Sequence, residues 1–450
     1  MTDLLDKSAT EQATLLAGGE LSSSELTELY LSRSLKLNDE ICAFTYIAKR
    51  SARAAAKKWD NDKRKGKQAP GPLSGVPTGI KDLHFVRGMP TRFGTRALPP
   101  IIGAADSAVT KRVRSAGMIV CGKLTTSEFG CMPVTETDTH QPTRNAYNRD
   151  YTAGGSSGGS GAAVSAAMLP IAQGSDGAGS IRIPAAVNHL VGLKPTRGLI
   201  SPTSPVDTQM RLSSLGGLAR TVEDLSAFLD ALTDWPNGFF QSHREALPKG
   251  LKIGLVTENH ISPVAPEYKQ AAEKVAKILE GCGATIVPTT QVDIDLEEFL
   301  VLWKRLFANA PMLMEKRLQP VTLWLREAGK KIPVAEATAA RIQHARTILN
   351  WFDGMHLCVT PTIAIKTPKI GAWRDPDPET SFRSIIGMGA FTAPFNVSGQ
   401  PAISVPMGFC EDGLPIGVQI AGRMGDDALV LQAAHAVEQA VGGFRTKIPV

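Results

Sequence analysis

Apolar positions along this chain fall into two rhythms. Spacings of three and four, the signature of a helix with one buried face, follow Ser8-x-x-Glu11 and Ser22-x-x-Glu25. A serine three residues ahead of a glutamate is the reciprocal cap that opens a helix. A third helix is predicted over 49–62. The Pro/Gly-rich entry APGPLSGVPTGIKDL then leads into a short apolar strand ending near Lys81. An α/β unit follows. Asp106 is read as the cap of a helix that Gly117 stops, and MIVCGKL (118–124) reads as a buried strand. A helix over about 160–168 and the short strand LPIAQG come next, and Thr221-x-x-Asp224 caps a further helix. KIGLVTE (252–258), a helix over 266–280 and ATIVPTT (284–290) form one more alternating unit. The pattern from 296 to 352 is helical, with a break at 330–333. HLCVTPT, AISVPMG and LPIGVQIAG read as strands, and 426–441 as a closing helix.

Strands alternating with helices predict an α/β fold with a large mixed, mostly parallel central sheet flanked by helices. There is no internal repeat and no linker-like tract. One domain over 1–450 is therefore expected, with the helical stretch at about 294–353 as a flank or lid.

Composition removes several function classes. With 43% hydrophobic and 20% charged residues the chain can bury an ordinary core. The net charge of +6 is scattered, and the densest basic run, KKWDNDKRKGK (57–67), contains two aspartates. No aromatic residues alternate with it to stack bases, so nucleic-acid binding is not supported. The six cysteines form no C-x-x-C pair and no histidine stands at ligand spacing from them. Neither a disulfide framework nor a zinc site is expected, and no other metal or cofactor; reduced thiols fit a cytoplasmic protein. The first residues lack a signal-peptide apolar region. The longest uncharged stretch, 151–175, has the length of a membrane span but opens TAGGSSGGSG, too rich in Gly and Ser to enter lipid.

Two glycine-rich turns stand in and beside that stretch: Gly154-Gly155-Ser156-Ser157-Gly158-Gly159, and Asp176-Gly177-Ala178-Gly179-Ser180. Glycines let several backbone N–H groups converge, which suits a phosphate or the oxyanion of an acyl-transfer intermediate. No Gly-Lys-Ser/Thr follows either turn, and the glycine spacing does not match a dinucleotide fingerprint. G-x-S-x-G occurs twice, around Ser156 and Ser157, but NRDYTA rather than an apolar strand precedes it. His84, His140, His189 and His356 have no matching acid partner, and an apolar-strand histidine such as His356 reads as a core residue. A serine nucleophile without histidine needs another base, and a lysine serves only when neutral. Lys81 closes the apolar GVPTGIK run. On its own it reads as a strand-end lysine reaching solvent.

Four segments together resemble the amidase signature family: GVPTGIKDL (75–83), GGSSGGSGAAV (154–164), GSDGAGSIRIPA with VGLKPTRG (174–198), and NVSGQPAISVP with GLPIGVQIAG (396–422). The resemblance runs from about residue 20 to the C-terminus and is weakest at about 235–385. It implies that family's fold and hydrolysis of the C–N bond of an amide, with anilide, carbamate and ester as variants. It also implies Lys81 as general base, Ser156 as a bridging serine after a cis peptide bond, and Ser180 as the acylated nucleophile. Gly177, Ala178 and Gly179 would form the oxyanion hole, with Ser157, Asp176 and Arg182 in support. Ala178 departs from the glycine that many relatives carry, and would be strained in a left-handed conformation. Gly130, Cys131 and Met132, after a family-like Glu128-Phe129, are expected in the acyl pocket. The helical block and residues 373–395 are further candidates for that pocket; Trp303, Phe307, Met312 and Met314 hint at a bulky hydrophobic acyl or aryl group, but read first as helix packing. The family includes urethanases and the A subunit of glutamyl-tRNA amidotransferase. That subunit usually carries SIRQPA where this chain has SIRIPA, which leaves transamidation on charged tRNA, with partner proteins, as the alternative. The expected partner is a small-molecule amide, anilide or carbamate, with no nucleic acid and no membrane, in a monomer or homodimer.

Overall fold

Eleven strands hydrogen-bond into one sheet in the computed structural model, which describes residues 2–200, 210–233, 238–308 and 312–449. Across the sheet they run Phe44–Ile47, Ile119–Leu124, Pro77–Lys81, Ile171–Asp176, Ser214–Ala219, Val191–Lys194, Ala402–Phe409, Pro415–Gly422, Leu357–Pro361, Lys252–Leu255 and Thr285–Pro288. The inner strands Pro77–Lys81, Ile119–Leu124, Ser214–Ala219 and Pro415–Gly422 are buried at every position. Helices cover both faces, which is why Ile119–Leu124 and Pro415–Gly422 read as near-continuous apolar runs.

The sheet is mixed, as expected, but the expected parallel majority is corrected. Parallel pairing is confined to Pro77–Lys81 with its two neighbours and Lys252–Leu255 with its two neighbours. The other junctions are antiparallel. A parallel pair needs a long crossover, which the α/β units at either end provide. The middle is built from the hairpin Ala402–Phe409/Pro415–Gly422 and two short strands, Val191–Lys194 and Ser214–Ala219, that the apolar pattern did not single out.

Helix starts follow the predicted caps. Ser8 and Ser22 each accept from the N–H three residues on and receive the glutamate in return, and Thr221 accepts from Asp224 N–H. Asp106 does not cap its helix: Ser107 stands at that position, and the Asp106 carboxylate accepts from Arg87 N–H at 2.8 Å. The helical stretch resolves into Leu296–Ala308, Pro320–Lys330 and Val334–Trp351; the break at 331–333 is where it was predicted, but 312–319, read as helical, holds only the 3-10 turn Glu315–Arg317. One small-residue helix, Gly158–Ser165, is wholly buried. A Cβ at Gly159 would lie 2.4 Å from Thr125 N and 2.6 Å from Ala43 O, so only glycine lets this helix approach the sheet so closely. Lys81 and Asp176 end neighbouring parallel strands. Chemistry therefore gathers at the carboxyl ends of these strands, where α/β sheets place their ligands.

Candidate active site

Lys81 does not reach solvent. It is fully buried, and its Nζ donates to Ser156 Oγ at 2.7 Å, to Ser175 Oγ at 3.1 Å and to Ser175 O at 3.2 Å. Burial pushes its pKa down from 10.5 to about 7, while the charge of Asp176 pulls the other way. A substantial neutral fraction near neutral pH follows. The backbone N–H of Lys81 donates to Gln173 Oε1 at 3.0 Å, which ties the lysine to the neighbouring strand. His84 lies close by, but burial, then Lys81 and Lys123, push it down to about 3, so it stays neutral. His189 stacks on Phe409, and His356 Nδ1 accepts from Lys252 N–H. No hydrogen bond joins a histidine to Ser156 or Ser180 among the described residues.

The two glycine-rich turns meet. Ser157 N–H donates to Ser180 O at 3.2 Å, and Ser157 Oγ donates to Ser175 O at 3.2 Å. The peptide before Ser156 is cis. The second turn is built around Asp176. Burial by itself would raise this carboxyl; the Arg182 guanidinium against it, at 2.9 Å through both Nε and Nη2, holds it far below the usual carboxylate range. Arg182 also donates to Thr392 O and Gln419 Oε1, and Asn396 donates to Asp176. Asp176 and Arg182 thus form a saturated buried ion pair that shapes the turn.

The Asp176 carboxylate also takes the Gly179 N–H at 2.7 Å. This corrects the expected oxyanion set, because that donor is already engaged. No hydrogen-bond partner is present for the N–H groups of Gly177, Ala178 and Ser180 among the described residues. Gly179 has φ 125°, and a Cβ there would lie 2.2 Å from Thr392 Oγ1. Ala178 has no positive φ, so the alanine is accommodated without left-handed strain.

Ser180 opens onto a cleft of about 840 Å³ including its mouth. Cys131 and Met132 line it, together with Ala178 and Ile183. Gly130 instead packs beside Ser156, where a Cβ would lie 3.2 Å from Ser156 Oγ. Trp303, read as helix packing, is a cleft wall, and its Nε1 donates to Cys131 O at 3.3 Å. Phe307 is buried against Trp303, in keeping with a packing role; Met312 and Met314 are half-buried and do not line the cleft. The segment 294–303 thus brings the helical region to the cleft. One residue escaped the sequence reading, and another was named there without its role. Ser175 was inside a quoted segment, but its contact with Lys81 depends on strand pairing. Glu128 anchors its loop by accepting from Thr95 Oγ1 at 2.6 Å and Gln319 N–H at 2.8 Å, a junction across 191 residues of sequence that no local signal carries.

Such a sheet, with glycine-rich turns converging on a buried lysine and an apolar cleft, defines a hydrolase acting on amide C–N bonds. The chain belongs to the amidase signature family: the family described as "Amidase" matches residues 25–431. It is 35% identical over 483 aligned residues to the 6-aminohexanoate-cyclic-dimer hydrolase of Pseudomonas sp., covering 96% of this chain and 94% of that protein. A solved 6-aminohexanoate cyclic dimer hydrolase superposes with TM-score 0.89 at 32% identity over 98% of both chains. A bacterial aryl acylamidase of the amidase signature family superposes with TM-score 0.87 at 27% identity over 96% of both.

Proposed function

We propose that this amidase hydrolyses small-molecule amides and anilides, with carbamates in the same range, through an acyl-enzyme on Ser180. The 2.7 Å contact between buried Lys81 Nζ and Ser156 Oγ carries the reading. Neutral Lys81 takes the Ser156 proton as Ser156 takes the Ser180 proton, and Ser180 Oγ attacks the carbonyl. A serine suits the middle position because its hydroxyl donates and accepts at once. Backbone N–H groups of Gly177, Ala178 and Ser180 receive the oxyanion; one such donor is worth about 3–4 kcal/mol. The proton returns through Ser156 to the leaving nitrogen, and water releases the acyl group by the same route.

Ser157 and the Asp176–Arg182 pair hold the turns rather than exchange protons. The apolar cleft favours a small molecule, and the helical region 294–353 flanks it, with 294–303 as the wall. The chain acts without a partner subunit, as a monomer or homodimer, and six free thiols fit the cytoplasm. Fluorophosphonate labelling of the wild type and of Ser180→Ala, read by peptide mapping, tests the assignment. Label on Ser180 that vanishes in the variant supports it. No label, or label on Ser156 or Ser157, overturns it.

A further inference from the structure

The cleft beside Ser180 is apolar along its walls, through Met132, Ile183, Phe299, Trp303 and Phe382. Asp295 is the one charged side chain among its described lining residues. It sits just before the helix Leu296–Ala308, and its Oδ1 accepts from Glu297 N–H at 3.3 Å, the bond of a helix cap. Of the carboxylates that follow, Glu297 pairs with Arg383, and Glu298 accepts from Asp295 N–H at 3.4 Å and faces His344. No cation lies within ion-pair distance of Asp295 among the described residues, and the residue is exposed. An apolar wall carrying one unpaired negative charge sorts its ligands by charge. It accepts a hydrocarbon arm, attracts a positive group on that arm and repels a negative one.

On the reading of Ser180 as the nucleophile, we infer that Asp295 is a specificity residue that selects amides whose apolar arm carries a cationic group, and disfavours those with an anionic one. A group held at a solvent-touching rim is screened by salt, so the preference shrinks as ionic strength rises.

The test compares three p-nitroanilides with arms matched in methylene count: 5-aminopentanoyl, hexanoyl and 5-carboxypentanoyl. The variants are Asp295→Asn and Asp295→Lys. Asparagine caps a helix as well as aspartate does, so it removes the charge and keeps the cap. In Asp295→Asn the ratio of kcat/KM for the cationic arm over the neutral arm should fall about fivefold, and the anionic ratio should rise by a similar factor. Asp295→Lys should invert the order of the cationic and anionic substrates. In the wild type, 0.5 M salt should bring both ratios toward those of Asp295→Asn. Ratios that do not move in Asp295→Asn overturn the inference. Fluorophosphonate labelling of Ser180 without turnover of any of the three also overturns it, while leaving the acyl-enzyme reading intact. Failure of labelling and turnover together overturns the acyl-enzyme reading itself.

Discussion

Replacing Lys81 with methionine separates the catalytic role proposed for this lysine from its cost to the fold. Methionine keeps the length and apolar stem and removes the amine. The Ser175 carbonyl that Lys81 Nζ contacts keeps a second donor in Ser157 Oγ, so the loss is mainly that of the charge and of the bonds to Ser156 Oγ and Ser175 Oγ. Burial lowers the Lys81 pKa from 10.5 to about 7 in the folded protein. The unfolded chain keeps it near the ordinary value of about 10.4. Below about pH 7 the folded state carries the full penalty of a buried charge. Between about 7 and about 10.4 the unfolded state holds a proton the folded state has lost, so wild-type stability rises with pH, by up to about 1.4 kcal/mol per unit. Above that window the penalty is gone. Over the whole window the difference amounts to roughly 5 kcal/mol. Lys81→Met lacks this dependence. It should therefore be more stable than wild type at pH 6, with the gap closing steadily as pH rises to 9. Its kcat/KM should fall at least about a thousandfold, within the range of a lost general base. Urea denaturation of both proteins at pH 6, 7, 8 and 9 measures the first effect, and a chromogenic anilide assay the second. Wild-type kcat/KM should rise about tenfold per pH unit below about 7 and level off above it. A variant that is less stable than wild type by the same amount at every pH, or a flat wild-type rate profile from pH 5.5 to 9, would refute this reasoning.

Three further outcomes are expected. Gly179→Ala forces a Cβ against Thr392 and into a left-handed backbone position; fluorophosphonate labelling of Ser180 should slow more than about a hundredfold, the scale of a lost oxyanion donor, and an unchanged rate would show that the turn tolerates the residue. Arg182→Met leaves the Asp176 carboxylate buried and uncompensated; denaturation should report a loss of about 3–5 kcal/mol, and a loss below about 1 kcal/mol would show that Asn396 and the backbone N–H groups suffice. Trp303→Ala widens the cleft and removes the bond to Cys131 O; KM for a long-chain anilide should rise about tenfold, on the order of one buried aromatic contact, while a small fluorophosphonate labels Ser180 at the wild-type rate.

Features that depend on short stretches of chain were legible before any coordinates. The caps at Ser8, Ser22 and Thr221 involve bonds across three residues, and each forms as read. The break between the helices Pro320–Lys330 and Val334–Trp351 lies where the pattern lapsed, with Pro333 at the cap. The two glycine-rich turns were visible because converging N–H groups demand residues without side chains. The strands Val191–Lys194 and Ser214–Ala219 were not, because short, glycine-bearing strands owe their existence to neighbours on either side.

Lys81 marks the boundary between the two kinds of information. The sequence by itself determined that an apolar strand ends in a lysine, that Ser156, Ser157 and Ser180 sit on glycine-rich turns downstream, and that the segments carrying them resemble one family of amidases. Taken alone the lysine read as reaching water, because nothing within a few residues says otherwise, and only the resemblance made it a general base. Only the tertiary structure removed that water, by pairing Pro77–Lys81 with a strand on each side and setting Ser156 and Ser175 against the amine. The Gly179 N–H followed the same logic: its turn was readable, its engagement by Asp176 was not. Caps and turns are short-range sterics and hydrogen bonding, written locally. Desolvation, strand direction and the charge at the mouth of the cleft are sums over atoms distant in the chain, and they exist only once it has folded.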